Sequence, residues 1–417
     1  MKRTLMTSSP TADTPAPSAE QPQRPLSSLQ MSIVALGMVA MGVGMTINFV
    51  VVAPLTRDAG LTETEVAGIL TLSALFFAMM TPVWGRWADR FGRKRVMVAS
   101  LFFAGLTNAA FALALNQALA GALVGVTAIL SLGLIRTSFG LLSPGMFPAS
   151  MGMIIEATTP QTRAAGMGLF ATAMSIGSII GPAGAALLAP LGALAPLWGS
   201  ILFSWFCAGV LAFALPKTRK RRTGGLGPVP LKLTDKRIRP HVGFLFAYFV
   251  ISGGIQMTLG FLIADRYGLE RADAVQFTGL AFGALALAMI IVQFGFVQRR
   301  NPDPRRMLPI GLITVGIGYL IAAISEPFAI LCLGFFIAGL GTALVVPSAN
   351  ALGSLSVPRK DQPSAAAVLS SAPPWAFVVG PVLGAQLYEF NPIAPLMGSA
   401  IMMGVLFVYS LRLTRKA

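Results

Sequence analysis

The sequence predicts an all-α membrane protein with twelve transmembrane helices in two six-helix pseudo-repeats, on the evidence of its composition, its apolar runs and an internal repeat. The 417 residues are 55% hydrophobic and only 11% charged, whereas a soluble domain carries roughly 25% charged residues. Apolar runs of about twenty residues recur along the chain, and each is long enough to cross a ~30 Å hydrocarbon core. Because the backbone has no water to pair with inside lipid, we expect these runs to be helices. The alternating segments of a transmembrane β-barrel are absent from the sequence.

Basic residues are concentrated on one face of the predicted membrane protein. With the N-terminus placed in the cytoplasm, 27 of the 31 Lys and Arg residues lie in the tails and the even-numbered connections, and 3 lie on the opposite face. This positive-inside distribution predicts a multi-pass membrane protein with both termini cytoplasmic. It also accounts for the net charge of +16, so we expect lipid and not nucleic acid as the surroundings. The predicted spans are 29–54, 64–84, 96–116, 122–152, 165–188, 194–215, 241–264, 274–297, 307–324, 327–353, 364–388 and 393–413.

Composition divides the chain into four regions. Residues 1–28 are rich in Ser, Thr, Pro, Ala and Gln without an apolar core, which predicts a disordered cytoplasmic tail and not a signal peptide. Residues 29–215 and 241–417 are predicted to be six-helix bundles, the second with a short cytoplasmic tail, and 216–240 is a basic cytoplasmic linker. The two cysteines each lie alone in an apolar span, so we expect no disulfide, metal or other cofactor.

An internal repeat relates the two bundles. One set of Gly and Pro positions recurs after 199 residues and an earlier set recurs after 208, so the halves differ by loop insertions. Two parallel repeats joined by a long basic loop are typical of a transporter with a midplane substrate site between its halves. A duplicated scaffold without transport is the other interpretation. The matched positions are Gly140 with Gly339, Gly181-Pro182 with Gly380-Pro381, and Gly60-Leu61 with Gly268-Leu269.

The connection between the second and third spans carries the most specific motif. Residues 85–95 have the sequence GRWADRFGRKR. An ordinary positive-inside loop would explain the bases but neither the acid nor the two glycines. The motif resembles the signature loop of the major facilitator superfamily, and with the features below it is similar to the twelve-helix drug:proton antiporters of bacteria. The resemblance implies a conformational latch between the halves, formed by Gly85, Asp89, Arg90, Gly92 and Arg93.

Two further motifs resemble those of the antiporters. Arg136 with Gly140 resembles a fourth-helix motif associated with proton-coupled export, and its alternative role is a hydrogen-bond hub to backbone carbonyls. Gly177 with Gly181-Pro182 resembles the fifth-helix motif, although the following residues depart from the family pattern. A second Gly-Pro pair, Gly380-Pro381, repeats the theme in the eleventh span. We predict that these glycines and prolines form a helix-packing gate, and an ordinary packing seam is the alternative.

Polar residues within or beside the spans are the candidate contacts for substrate or protons. None of the fifteen Asp and Glu residues falls in the middle of a span, whereas Arg136 does. Because a desolvated cation needs a buried counter-charge, the sequence predicts that the substrate is neutral or anionic. In the family, helices one, four, seven and ten line the cavity. The candidates are Arg136, Asn48, Gln256, Asn350, Trp375 and Glu156.

The sequence therefore predicts a secondary active transporter, with proton-coupled efflux of drugs or metabolites by alternating access as the leading function. We expect a small-molecule substrate, protons as the coupling ion and a monomeric protein. Uptake or export of one metabolite, such as an organic acid or a siderophore, is the second transporter hypothesis. The sequence argues against a membrane enzyme, because no nucleophile–base pair or metal-ligand spacing appears and the spans lack His, Asp and Glu at their centres. A non-transporting receptor or scaffold is the alternative from another class.

Overall fold

The computed structural model describes residues 27–157, 163–216, 235–300, 302–358 and 361–416, and every regular element in them is helical. Most of the predicted tail and linker lies outside the described residues. The first half contains α1 Ser28–Asp58, α2 Glu63–Phe91, α3 Arg93–Leu119, α4 Gly125–Leu142, α5 Met146–Ala157, α6 Arg163–Leu188 and α7 Ala195–Ala214. The second half contains α8 Arg239–Tyr267, α9 Arg271–Val292, α10 Gln298–Arg300, α11 Pro304–Ile324, α12 Phe328–Leu355, α13 Gln362–Leu369, α14 Ala372–Phe390 and α15 Ala394–Lys416.

The spans agree with the all-α prediction, with two corrections. Eleven of the described helices, counting α4 and α5 as one, are long and apolar enough to cross a membrane. The fourth span, predicted as continuous, is broken at residues 143–145, and the eleventh is divided into α13 and α14. The break in the fourth span has a local cause, because Pro144 has no N–H to donate and its ring opposes a continuous helix.

Local sequence signals determine several helix ends. Ser27 and Thr62 each begin a helix with a capping box, completed by a Gln or Glu three residues later. At the junction of α2 and α3, Gly92 has a φ of 97°, which an L side chain rarely adopts. The turn at Gly92 allows α3 to begin with only this one residue between it and the end of α2.

Close helix packing repeats in the two halves. A Cβ built on Gly140 of α4 would lie 2.3 Å from the carbonyl oxygen of Ser73 on α2. At the equivalent position of the second half, a Cβ on Gly339 of α12 would lie 2.2 Å from the carbonyl oxygen of Leu285 on α9. Both contacts need glycine, because they bring two backbones together.

Side chains of two neighbouring helices hold the broken fourth span in place. The Ser100 hydroxyl on α3 donates to the carbonyl of Ser143 at 2.5 Å and accepts from the N–H of Met146 at 2.9 Å. On α2, the indole N–H of Trp84 donates to the carbonyl of Leu141 at 2.8 Å. Backbone groups freed by a break inside lipid need such partners. One hydroxyl therefore satisfies both sides of the interruption.

The two halves meet chiefly where α1 packs on α8, α2 on α14 and α6 on α9, and α1 also contacts α9. The contacts include a hydrogen bond from Thr71 of α2 to the carbonyl of Val378 at 3.1 Å. We call the end of the bundle with the α2–α3 connection the basic end, and the end with the α1–α2 and α8–α9 connections the acidic end. All described ion pairs between the halves lie at the acidic end.

Candidate transport site and gates

The predicted latch loop is docked on its own half at the basic end. Asp89 lies 3.5 Å from Arg93, four residues later. The guanidinium of Arg93 lies against Gly152 of α5, where a Cβ would be 2.4 Å from Nη1. Gly85 packs on Pro148 of the same helix, since its Cβ would lie 3.4 Å from the proline Cβ. The α2–α3 connection therefore rests on the helix that follows the break in the fourth span. Arg90 adds a local contact, with its guanidinium 5.4 Å from the ring centroid of Phe91, and the inter-half latch stays a prediction.

Arg136 is held by an amide and two aromatic rings. Its Nη1 donates to Oδ1 of Asn108 on α3 at 3.0 Å, and the guanidinium lies 4.6 Å from the ring centroid of Phe139 and 5.6 Å from that of Phe111. The side chain is 6% exposed, and its Nε has no hydrogen-bond partner among the described residues. The described hydrogen bond of the guanidinium goes to a side-chain amide, whereas the alternative role considered from the sequence was a hub to backbone carbonyls. Rings and an amide stabilise the cation without neutralising its charge.

The other candidate contacts are distributed over both halves. Asn48 is buried and donates to the carbonyl of Gly44, while its Oδ1 has no partner among the described residues. Asn350 is half-buried and donates to the carbonyl of Val346 at 3.0 Å. Gln256 is half-buried on α8, and Trp375 is exposed on α14. Glu156 is the penultimate residue of α5, and its side chain lies outside the described part of the structure. Their roles in binding stay predictions.

The predicted packing gate lies where helices cross closely. A Cβ on Gly177 would be 2.3 Å from the carbonyl oxygen of Val39, and one on Gly181 would be 2.1 Å from the hydroxyl of Thr46, so both glycines fix α6 against α1. In the second half, a Cβ built on Gly380 of α14 would lie 2.4 Å from the carbonyl oxygen of Val250 on α8, so this glycine likewise allows α14 to pack closely on α8.

The prolines of the gate lie beside further glycines. A Cβ built on Gly279 of α9 would lie 2.8 Å from the carbonyl oxygen of Pro182 on α6. The close approach at this glycine therefore packs α6 of the first half directly on α9 of the second. Pro381 packs on α8, with its Cδ 3.4 Å from a Cβ built on Gly253. Of these contacts, that of Pro182 spans the interface between the halves.

A charged cluster at the acidic end was not predicted as a site. Arg57 at the end of α1 bonds both Glu63 of α2 and Asp265 of α8. Arg271 at the start of α9 bonds Asp58, with its Nε 2.8 Å from a carboxylate oxygen. Two of these ion pairs join the halves. The signal that identifies them in the sequence is the opposite charge of positions 208 residues apart, which lie at helix ends and not in the middle of a span.

A helical membrane bundle built from two repeats is an architecture common among transporters. The family model described as Major Facilitator Superfamily matches residues 34–302 and 302–417. The chain therefore belongs to this superfamily, and it is a multi-pass membrane transporter and not an enzyme.

Similar proteins cover nearly the whole chain. A multi-drug resistance efflux pump PmrA homolog of Lactococcus lactis subsp. lactis (strain IL1403) is 26% identical, over 82% of this chain and 82% of its own length. The class E tetracycline resistance protein of Escherichia coli is 27% identical over 87% and 88% of the two chains. The crystal structure of a bacterial homolog of the human lysosomal transporter Spinster, in an inward-facing and occupied conformation, covers 94% of this chain and 97% of its own, with a TM-score of 0.69 and 13% identity.

Proposed function

We propose that this transporter exports small neutral or anionic organic compounds from the bacterial cytoplasm in exchange for protons. The proposal places the basic end and both termini at the cytoplasmic face of the inner membrane, in accordance with the positive-inside rule. Export is supported by the relatives named above, which are an efflux pump homolog and a resistance protein matched over more than four-fifths of their length.

The proposed substrate class, neutral or anionic compounds, is inferred from the sign of the charge inside the bundle. Within the described spans, Arg136 is the single charged side chain away from the helix ends, and no carboxylate accompanies it. A permanently charged cation in that environment would lack a counter-charge and would meet a positive potential. Neutral and anionic compounds avoid that cost.

The proposed mechanism is rocking of the α1–α7 half against the α8–α15 half. In the structure, ion pairs join the halves at the acidic end. Opening that end requires these pairs to break, and the loop of residues 85–95 would then close the basic end as a latch. Asp89 and Glu156, near the basic ends of their helices, are the proposed proton-binding groups of the cycle.

The first test measures proton flux in vesicles that contain the purified protein and a pH-sensitive dye. Under an imposed pH gradient, adding neutral or carboxylate-bearing compounds should release the gradient, whereas a quaternary ammonium compound should not. Arg136→Gln should lower carboxylate flux by about tenfold or more, because a hydrogen bond to a charged group is worth ~1.5–3 kcal/mol. Preferred transport of the quaternary ammonium would refute the substrate class.

The second test separates the latch from a merely charged loop. Asp89→Asn should reduce flux strongly, because it removes the carboxylate that pairs with Arg93. Asp303→Asn is the matched control in the other half, since Asp303 caps α11 through the N–H of Arg305 and asparagine caps a helix equally well. Equal flux through both variants would contradict the latch role of Asp89.

A further inference from the structure

The charges at the acidic end are inverted between the two halves of the repeat. The shift of 208 residues that relates α1 to α8 places Arg57 on Asp265 and Asp58 on Arg266, and it places Glu63 on Arg271. At all three positions one half carries an acid where the other carries a base. Around a two-fold axis, a residue near the axis meets its own equivalent from the other half. Like charges there would repel, whereas inverted charges attract.

The structure brings one of these equivalent pairs into direct contact. Arg57 bonds Asp265 across the interface and Glu63 within its own half. The Arg57 guanidinium also lies over the rings of Phe261 and Tyr388, 5.1 Å and 5.9 Å from their centroids. These aromatic contacts hold the guanidinium on the second half in addition to the ion pair.

Further contacts surround this pair. The Tyr388 hydroxyl of α14 donates to the second oxygen of Asp265 at 2.6 Å. A second inter-half ion pair, Arg271 with Asp58, lies at 2.8 Å. In addition, Glu389 of α14 accepts from the backbone N–H of Thr64 at 3.1 Å. Five helices, α1, α2, α8, α9 and α14, thus converge on one cluster.

An apolar seal lies on the interior side of the cluster. Ala53 and Pro54 of α1 pack directly on Gly260 of α8, where a Cβ would be 2.8 Å from the proline Cδ and 3.0 Å from the Ala53 Cβ. Ala53 is 2% exposed. The backbones of α1 and α8 are therefore in close contact, and the charged cluster covers this contact on the side of the acidic end.

We infer that the inverted charges of Arg57, Asp58, Asp265 and Arg271 form a lock that favours the state closed at the acidic end. Two copies of one ancestral sequence would present identical charges to each other, so opposite signs allow the duplicated halves to bind at this end. Arg57 and Asp265 are positioning residues that act on the conformational equilibrium. The inference rests on the proposed function only in assuming that the acidic end opens during transport.

The test uses a single cysteine beneath the lock, with Ala53→Cys introduced after Cys207→Ala and Cys332→Ala. A membrane-impermeant maleimide is applied separately from each side of oriented vesicles, without substrate or pH gradient. From the side of the acidic end, Asp58→Arg and Arg271→Asp should each raise the labelling rate by about two- to fivefold, as expected for loss of a partly exposed ion pair. The double variant, with the charges exchanged, should return to the rate of the parent. Asp265→Asn should also label faster.

Glu326→Arg provides the matched charge reversal, because Glu326 is exposed in the α11–α12 connection at the same end. It should label at the parent rate. Should a reversal variant fail to reach the membrane, Asp58→Asn and Arg271→Gln must still label faster. Unchanged labelling of the single variants, or a double variant that labels as fast as they do, would overturn the lock. Labelling needs no flux, so a protein that fails to exchange protons for substrate can still pass or fail this test.

Discussion

Replacing Ser100 by alanine tests how the broken fourth span is held together inside the membrane. The hydroxyl accepts from the N–H of Met146 and donates to the carbonyl of Ser143, and Ser100 is 0% exposed. Alanine removes both bonds without adding volume. Hydrogen bonds between transmembrane helices average ~0.6 kcal/mol and reach ~1.7 kcal/mol, so the two together predict a loss of about 1–3 kcal/mol in the free energy of unfolding.

The assay is unfolding of the purified protein in mixed micelles, with Ser200→Ala as the matched control. Ser200 is 3% exposed, and among the described residues its hydroxyl bonds the carbonyl of Leu197 in its own helix, at 2.8 Å. Its removal should cost less than about 0.6 kcal/mol. Hydrogen exchange at residues 143–147 should also accelerate in Ser100→Ala alone. Equal stability of the two variants with unchanged exchange would refute the view that Ser100 holds the break.

Three further predictions follow from the packing of the first half. Trp84→Phe removes the indole N–H that bonds the fourth span and part of a buried ring, so the free energy of unfolding in micelles should fall by at least about 0.5–1.5 kcal/mol, and unchanged stability would count against that bond. Gly140→Ala places a methyl group in backbone contact and should lower the yield of folded protein in gel filtration, whereas Gly133→Ala, whose Cβ would meet its nearest neighbour at 3.8 Å, should not. Asn108→Leu leaves the buried cation of Arg136 without its amide partner and should destabilise the protein by about 1–3 kcal/mol. The double variant with Arg136→Leu should recover part of that loss, and a purely additive result would show that the two side chains do not interact.

The membrane class and the family were predictable from the sequence because they depend on local properties. Span length and polarity are set by the thickness of the bilayer, and the motif of residues 85–95 is contiguous. The helical spans and the superfamily were both confirmed. The break at Pro144 was equally local, but it was missed because the apolar run continues through it and hydropathy alone does not register a lost backbone N–H.

The site was less predictable because its contacts join distant parts of the chain. Arg136 was found as a midspan charge, yet its partner Asn108 is 28 residues away on α3, and no spacing rule selects it. Asn108 is visible in the sequence as a polar residue within the third span, but its pairing with Arg136 depends on how α3 and α4 rotate against each other. Glycines were easier to interpret, since close helix crossings require small residues wherever they occur.

By itself the sequence determined the class of the protein, its two-half organisation and the equivalence of positions 208 residues apart, because hydropathy and duplication are recorded residue by residue. Only the tertiary structure decided that Arg57 meets Asp265 and that the ion pairs between the halves lie at the acidic end. The physical reason is that contacts between distant helices depend on how the helices rotate and pack against one another, which neither hydropathy nor duplication specifies.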